Sequence, residues 1–102
     1  MIIGNESNFK EEIKEGKVLV DFNATWCGPC RMLKPIIEEF AKDSEVKVVS
    51  VDIDENEKLA TEYNVMSIPC LVLFNNGIEE KRNIGLIDSD TLKDFVGELW
   101  LM

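Results

Sequence analysis

Short unbroken apolar runs alternate along this chain with segments whose apolar residues recur every three or four positions. Lys17-Val18-Leu19-Val20-Asp21-Phe22 is an apolar run broken by one acid, and it predicts a strand buried on both faces. Residues 46–53, rich in valine, and Cys70-Leu71-Val72-Leu73-Phe74 predict two more strands. Met1-Ile2-Ile3 suits a short first strand. Asn76-Gly77 supplies a tight turn, so residues 78–84 should return antiparallel to the strand before it. Between the strands, residues 7–15 predict a short helix with Phe9 and Ile13 inward, Ser7 as its cap and Gly16 as its stop. Residues 27–42 predict a longer helix, with Leu33, Ile36, Ile37, Phe40 and Ala41 on one face. Pro35 inside it should remove one hydrogen bond and kink it. Asp54-Glu55-Asn56 leads into a short helix through Tyr63, with Leu59, Ala60 and Tyr63 inward. Asp88 or Ser89 caps a last helix carrying Leu92, Phe95, Val96 and Leu99 on its inner face. The order β-α-β-α-β-α-β-β-α predicts an α/β domain: a mostly parallel core sheet, an antiparallel terminal hairpin and helices on both faces.

Length and composition narrow this picture. The chain of 102 residues suits one domain, 1–102, and its 45% hydrophobic content suits a packed core. A net charge of -9 argues against nucleic acid or an anionic membrane as partner. No stretch reaches the roughly 18–20 apolar residues of a membrane span. The first residues lack the basic and apolar regions of a signal peptide, so a cytoplasmic location with reduced thiols is expected. The count that constrains chemistry most is zero histidines beside three cysteines. It excludes Ser-His and Cys-His catalytic pairs and every His-containing zinc site.

Trp26-Cys27-Gly28-Pro29-Cys30-Arg31 falls where the first buried strand passes into the long helix. A cysteine there meets unpaired backbone N–H groups and the positive end of the helix dipole. Both favour thiolate, so the Cys27 pKa should fall. Cys30 lies about one turn further on, within reach of Cys27, and Gly28 and Pro29 set the geometry between them. Such a pair exchanges disulfides: Cys27 attacks, and Cys30 resolves the mixed disulfide. A zinc knuckle would need two further ligands, and only Cys70 is at hand. Asp21 is the one acid in a buried strand, six residues before Cys27, and desolvation should raise its pKa.

With these residues on view the chain resembles the thioredoxin family along essentially its whole length. The match runs through Val20-Asp21-Phe22, Ala24-Thr25-Trp26-Cys27-Gly28-Pro29-Cys30, Pro35, Val51-Asp52-Ile53-Asp54, Ile68-Pro69, Asn76-Gly77 and Gly85. The resemblance implies a central mixed sheet of about five strands flanked by about four helices. It implies that Asp21 lies beneath the dithiol and helps deprotonate Cys30. It also implies a cis bond before Pro69, facing the dithiol. The backbone of Ile68 would then pair with an extended client segment, and Trp26, Pro29, Ile68 and Gly85 would edge a shallow apolar groove.

The implied activity is that of a protein-disulfide reductase acting as an electron carrier. The expected partners are disulfide-containing client proteins and a thioredoxin reductase, with no nucleic acid and no membrane, and the expected state is a monomer. The glycines form no nucleotide loop, so no cofactor is expected beyond the Cys27–Cys30 disulfide itself. An oxidant or isomerase, and a binding module with an incidental dithiol, are the competing readings. Three positions depart from the family pattern. Asn23 stands where a tryptophan is common. Ser50 stands where many members place a lysine near the aspartate, and its absence should leave the Asp21 pKa higher. Cys70 stands where threonine is usual. It reads either as a small buried hydrophobe or as a third thiol able to form another disulfide or to help bind metal or an Fe–S cluster. Arg31 and Lys34 read as solvated charges that could steer partners.

Overall fold

The computed structural model of the chain describes residues 1–97. Five strands form one sheet: β1 (Ile2–Ile3), β2 (Lys17–Asn23), β3 (Lys47–Asp52), β4 (Cys70–Asn75) and β5 (Ile78–Ile84). Four helices accompany them: α1 (Phe9–Glu12), α2 (Gly28–Asp43), α3 (Glu57–Glu62) and α4 (Ser89–Val96). The strands lie in the order β1-β3-β2-β4-β5. The chain order is the predicted one; Leu99, expected on the inner face of the last helix, lies outside the described residues.

The sheet departs from prediction at one junction. β1, β3 and β2 are parallel neighbours, but β4 runs antiparallel to β2 as well as to β5. β4 therefore enters the sheet at the end where β3 left it, and the connection through α3 does not return the chain to the opposite end. Alternation of strands and helices predicts parallel pairing only when the helix carries the chain back along the sheet.

β2 is buried on both faces, as its apolar run requires. Val18, Val20 and Phe22 join Phe9, Ile13, Leu59, Cys70, Val72 and Phe74 on the α1/α3 side. Leu19 joins Leu33, Ile37, Phe40, Leu71, Leu73, Leu92 and Val96 on the α2/α4 side. Helix α2 runs unbroken past Pro35. Helix α1 is shorter than predicted, and its N-cap is Asn8 in place of Ser7, with no side-chain bond to the helix's own first N–H groups. Asn5 Oδ1 accepts from the N–H groups of Ser7 at 2.9 Å and Asn8 at 3.0 Å, while Asn8 Oδ1 accepts from the N–H of Asn5 at 2.7 Å. These bonds order the turn that leads into the helix. Asp88, one of the two residues expected to cap α4, accepts from the N–H of Thr91 at 2.8 Å.

Candidate functional site

The C-terminal end of β2 delivers the chain through Ala24-Thr25-Trp26 into α2. Cys27 is the N-cap residue of α2, with extended backbone, and its Sγ accepts from the N–H of Cys30 at 3.2 Å. Pro29 sits in the first turn, where its missing donor costs nothing. Cys27 and Cys30 are bonded through their sulfurs, with Cα atoms 5.2 Å apart. Both are buried, against Ala24, Ile53 and Ile68. The motif is thus seated at the helix N-terminus, in its disulfide state.

Beside the dithiol lies an open groove of about 400 Å³. Trp26, Pro29, Val65, Met66 and Ile68 are among the residues that line it. The Ile68–Pro69 peptide bond is cis. Gly85 is not on the groove wall; its N–H donates to the Pro69 carbonyl oxygen at 2.9 Å, which ties the segment after β5 to the turn before β4. Trp26 remains 64% exposed, and its indole N–H donates to Asp54 Oδ2 at 2.7 Å. A partly exposed ring held at its polar end offers an apolar face to a docking chain. Sequence reasoning missed both Asp54 and Met66 here. Asp54 lay within a matched segment but carried no role, and Met66 is 89% exposed in a loop without periodicity.

Behind the dithiol a second cavity, of about 330 Å³, reaches Asp21. Cys30 and Asp21 both line it, with Asn23 and Ser50 alongside and Arg31 and Lys34 from α2. Asp21 is 6% exposed. Burial pushes its pKa up to about 6, partly opposed by a hydrogen bond from Asn23. This is the direction expected of a lone acid in an apolar strand. Arg31 is held by a bond to the Thr25 carbonyl oxygen at 2.8 Å. Arg31 and Lys34, expected as solvated charges, are cavity residues too, because one face of the first turns of α2 meets the end of β2.

Cys70 is elsewhere. It is 1% exposed and packs in the α1/α3 core with Phe9, Phe22 and Phe74, on the sheet face opposite Leu71, the register partner of Asp21. Burial raises its pKa, as the largest effect, which keeps it a thiol. The small-hydrophobe reading describes this position. Among the described residues no group of three or more Cys, Asp or Glu could hold a metal ion.

The family model for thioredoxin matches residues 1–98. The chain belongs to the thioredoxin family. A thioredoxin of Rickettsia felis is 45% identical over 97 residues, covering 91% of this chain and 92% of that one. A thioredoxin of Chlamydia pneumoniae is 48% identical over 98 residues, covering 95% of each. Among solved structures, an asparagine-to-glutamine mutant thioredoxin from Halobacterium salinarum superposes with a TM-score of 0.90 at 37% identity. That match covers 98% of this chain and 93% of the other. With its bonded Cys27–Cys30 pair, this thioredoxin-family protein is a thiol-disulfide oxidoreductase with protein-disulfide reductase activity. Members work through their own disulfide, and reductases and disulfide-bearing clients are their general partners. No helix among the described residues is long and apolar enough to cross a membrane.

Proposed function

We propose that Cys27 is the attacking thiol, Cys30 the resolving thiol and Asp21 the proton acceptor in reduction of client-protein disulfides in the cytoplasm. Cys27 thiolate attacks one client sulfur; the client disulfide breaks and the other client sulfur leaves as a thiolate, which takes a proton from solvent. Cys30 then gives its proton to Asp21 and attacks the Cys27 sulfur. The Cys27–client bond breaks, and the second client thiolate departs. Two electrons have passed to the client, and Cys27–Cys30 is the disulfide. A thioredoxin reductase returns the two electrons. The protein acts as a monomer.

The observation that carries this reading is the seat of Cys27 as N-cap, with the Cys30 N–H on its sulfur, while Cys30 shares a cavity with Asp21. Negative charge on the first sulfur is stabilised by that donor and by the helix dipole. A carboxyl with a pKa of about 6 is ionised at neutral pH and takes a proton more readily than an ordinary carboxylate. Ile68 and Trp26 flank the groove in which an extended client segment lies against the dithiol, with Gly85 braced on Pro69 beside it. Insulin reduction by dithiothreitol tests the assignment. Cys27→Ser should lower turnover to the uncatalysed level, and Cys30→Ser should trap a mixed disulfide visible by mass spectrometry. A Cys27→Ser protein as active as wild type would sink the reading.

A further inference from the structure

The two oxygens of Asp21 are unequal. Oδ2 accepts from Asn23 Nδ2 at 3.3 Å, whereas Oδ1 is buried with no hydrogen-bond partner among the described residues. The Asn23 amide is itself held from other sides. Its two N–H groups serve three acceptors, Ser50 Oγ at 2.9 Å, the backbone oxygen of Asp21 at 3.0 Å and, as the longest and a shared bond, Asp21 Oδ2. These contacts follow from β geometry. Asn23 is two residues after Asp21 and shares its face, and Ser50 is the register partner of Asp21 on β3. All three polar side chains line the cavity that Cys30 also lines. Its volume of about 330 Å³ is ample for several waters at about 30 Å³ each.

We propose that Asn23 is a positioning residue for proton transfer at the dithiol: its carboxamide, anchored on Ser50, holds Asp21 Oδ2 and leaves Oδ1 as the oxygen that takes the proton from Cys30. This rests on the reading of Asp21 as the proton acceptor. The proton moves from Cys30 Sγ to Oδ1, and the electron pair left on Cys30 forms the bond to Cys27. Asn23 acts through Asp21. An amide donor on one carboxyl oxygen fixes the plane of the group and favours its ionised form.

The groups around Asp21 leave this role to Asn23. From β3 comes Ser50, which is uncharged, and from β4 the register partner Leu71, which is apolar. From α2 come the Cys30 thiol, Lys34, and Arg31, whose guanidinium is engaged with the Thr25 carbonyl. Met1 also lines the cavity. Cys70 acts on Asp21 only from the opposite face of the sheet. Asn23 is therefore the side chain that hydrogen-bonds the carboxyl among the described residues.

The test is the pH–rate profile of the reduced protein with insulin, read beside the ¹³C titration of the Asp21 carboxyl. Asn23→Leu should move the titration and the acid limb of the rate profile upward together, by about 0.5–1 pH unit, because a bond that favoured the ionised form is gone. Ser50→Ala should move both the same way by less. The double variant should move no further than Asn23→Leu alone, since Ser50 acts through Asn23. A folded Asn23→Leu protein with both midpoints unmoved overturns the proposal; if that variant does not fold, unmoved midpoints in Ser50→Ala overturn it. Asp21→Asn separates the two levels of inference. A limb that survives Asp21→Asn removes Asp21 as proton acceptor, and this proposal with it. A limb that vanishes in Asp21→Asn yet stays fixed in Asn23→Leu removes the positioning role of Asn23 alone.

Discussion

Asp21 and Cys70 occupy adjacent positions of the β2–β4 ladder, and they meet opposite surroundings. Phe22 is the register partner of Cys70, and Asp21 is the residue before it on β2. Because side chains alternate across a sheet, the acid faces α2 and the thiol faces α1 and α3. Both are almost fully buried, and burial favours the neutral form of each. The aspartate opens onto a cavity lined by Cys30, Asn23 and Ser50. The cysteine packs beside an aromatic cluster in which the ring of Phe9 lies 5.2 Å from Tyr63 and 5.9 Å from Phe74, with Arg82 and Glu79 the charged groups nearest to the thiol. Burial alone therefore does not make an ionisable group functional. A buried group does proton chemistry when it shares a space with the atom that gives or takes the proton.

The comparison breaks most readily at the aromatic face. Phe9→Ala should destabilise the oxidised protein by about 3–5 kcal/mol in a denaturant melt, since it empties the centre of that cluster. The acid limb of its reductase profile should stay where it is in wild type. A limb displaced by Phe9→Ala would mean that the two faces are not independent.

Asp21→Asn tests the other face through stability. The folded Asp21 has a pKa of about 6 against an ordinary 3.8. Between these values the native state holds more protons than the unfolded state, so stability falls as pH rises across that window. The deficit is complete above about pH 6 and absent below about pH 3.8. Asp21→Asn should thus raise stability by about 2–3 kcal/mol at pH 8 and by little at pH 3.5. Equal gains at both pH values, in chemical denaturation, would show that the carboxylate is not the source of the deficit. The same substitution should slow release of the mixed disulfide at neutral pH.

The smallest effect belongs to Cys70→Ser. A hydroxyl in that buried position, beside Arg82, should cost about 1 kcal/mol of stability, with insulin reduction at the wild-type rate. Loss of turnover in a folded Cys70→Ser protein would place the third thiol in the redox cycle and end the contrast with Asp21.

Much of the site was legible in the chain order because it depends on near neighbours. A cysteine pair at a strand-to-helix junction, with proline in the first turn, specifies its own cap, and the Cys30 N–H does lie on Cys27 Sγ. One acid in a six-residue apolar run specifies a desolvated carboxyl, and Asp21 is one. Asn23 lay just past the predicted strand, and its place on the face of Asp21 followed only from β2 running on to Asn23. The shortened α1 and its start at Asn8 were less legible, since several polar residues compete to begin so short a helix.

Local spacing and burial thus determined from sequence alone the order of elements, the two-sided core of β2, the dithiol at the helix end and the desolvated acid within β2; that this acid lies beneath the dithiol came from the family resemblance. The direction of β4 came only with the tertiary structure, because it turns on the path of the whole connection from β3, which local spacing does not set. So did the pairing of Asp21 with Ser50, residues far apart in the chain that meet only through the β2–β3 register. The same long-range registers put Asp21 and Cys70 on opposite faces. They gave one residue a cavity and the other a core, a distinction that side-chain chemistry, nearly equal burial and neighbouring positions do not contain.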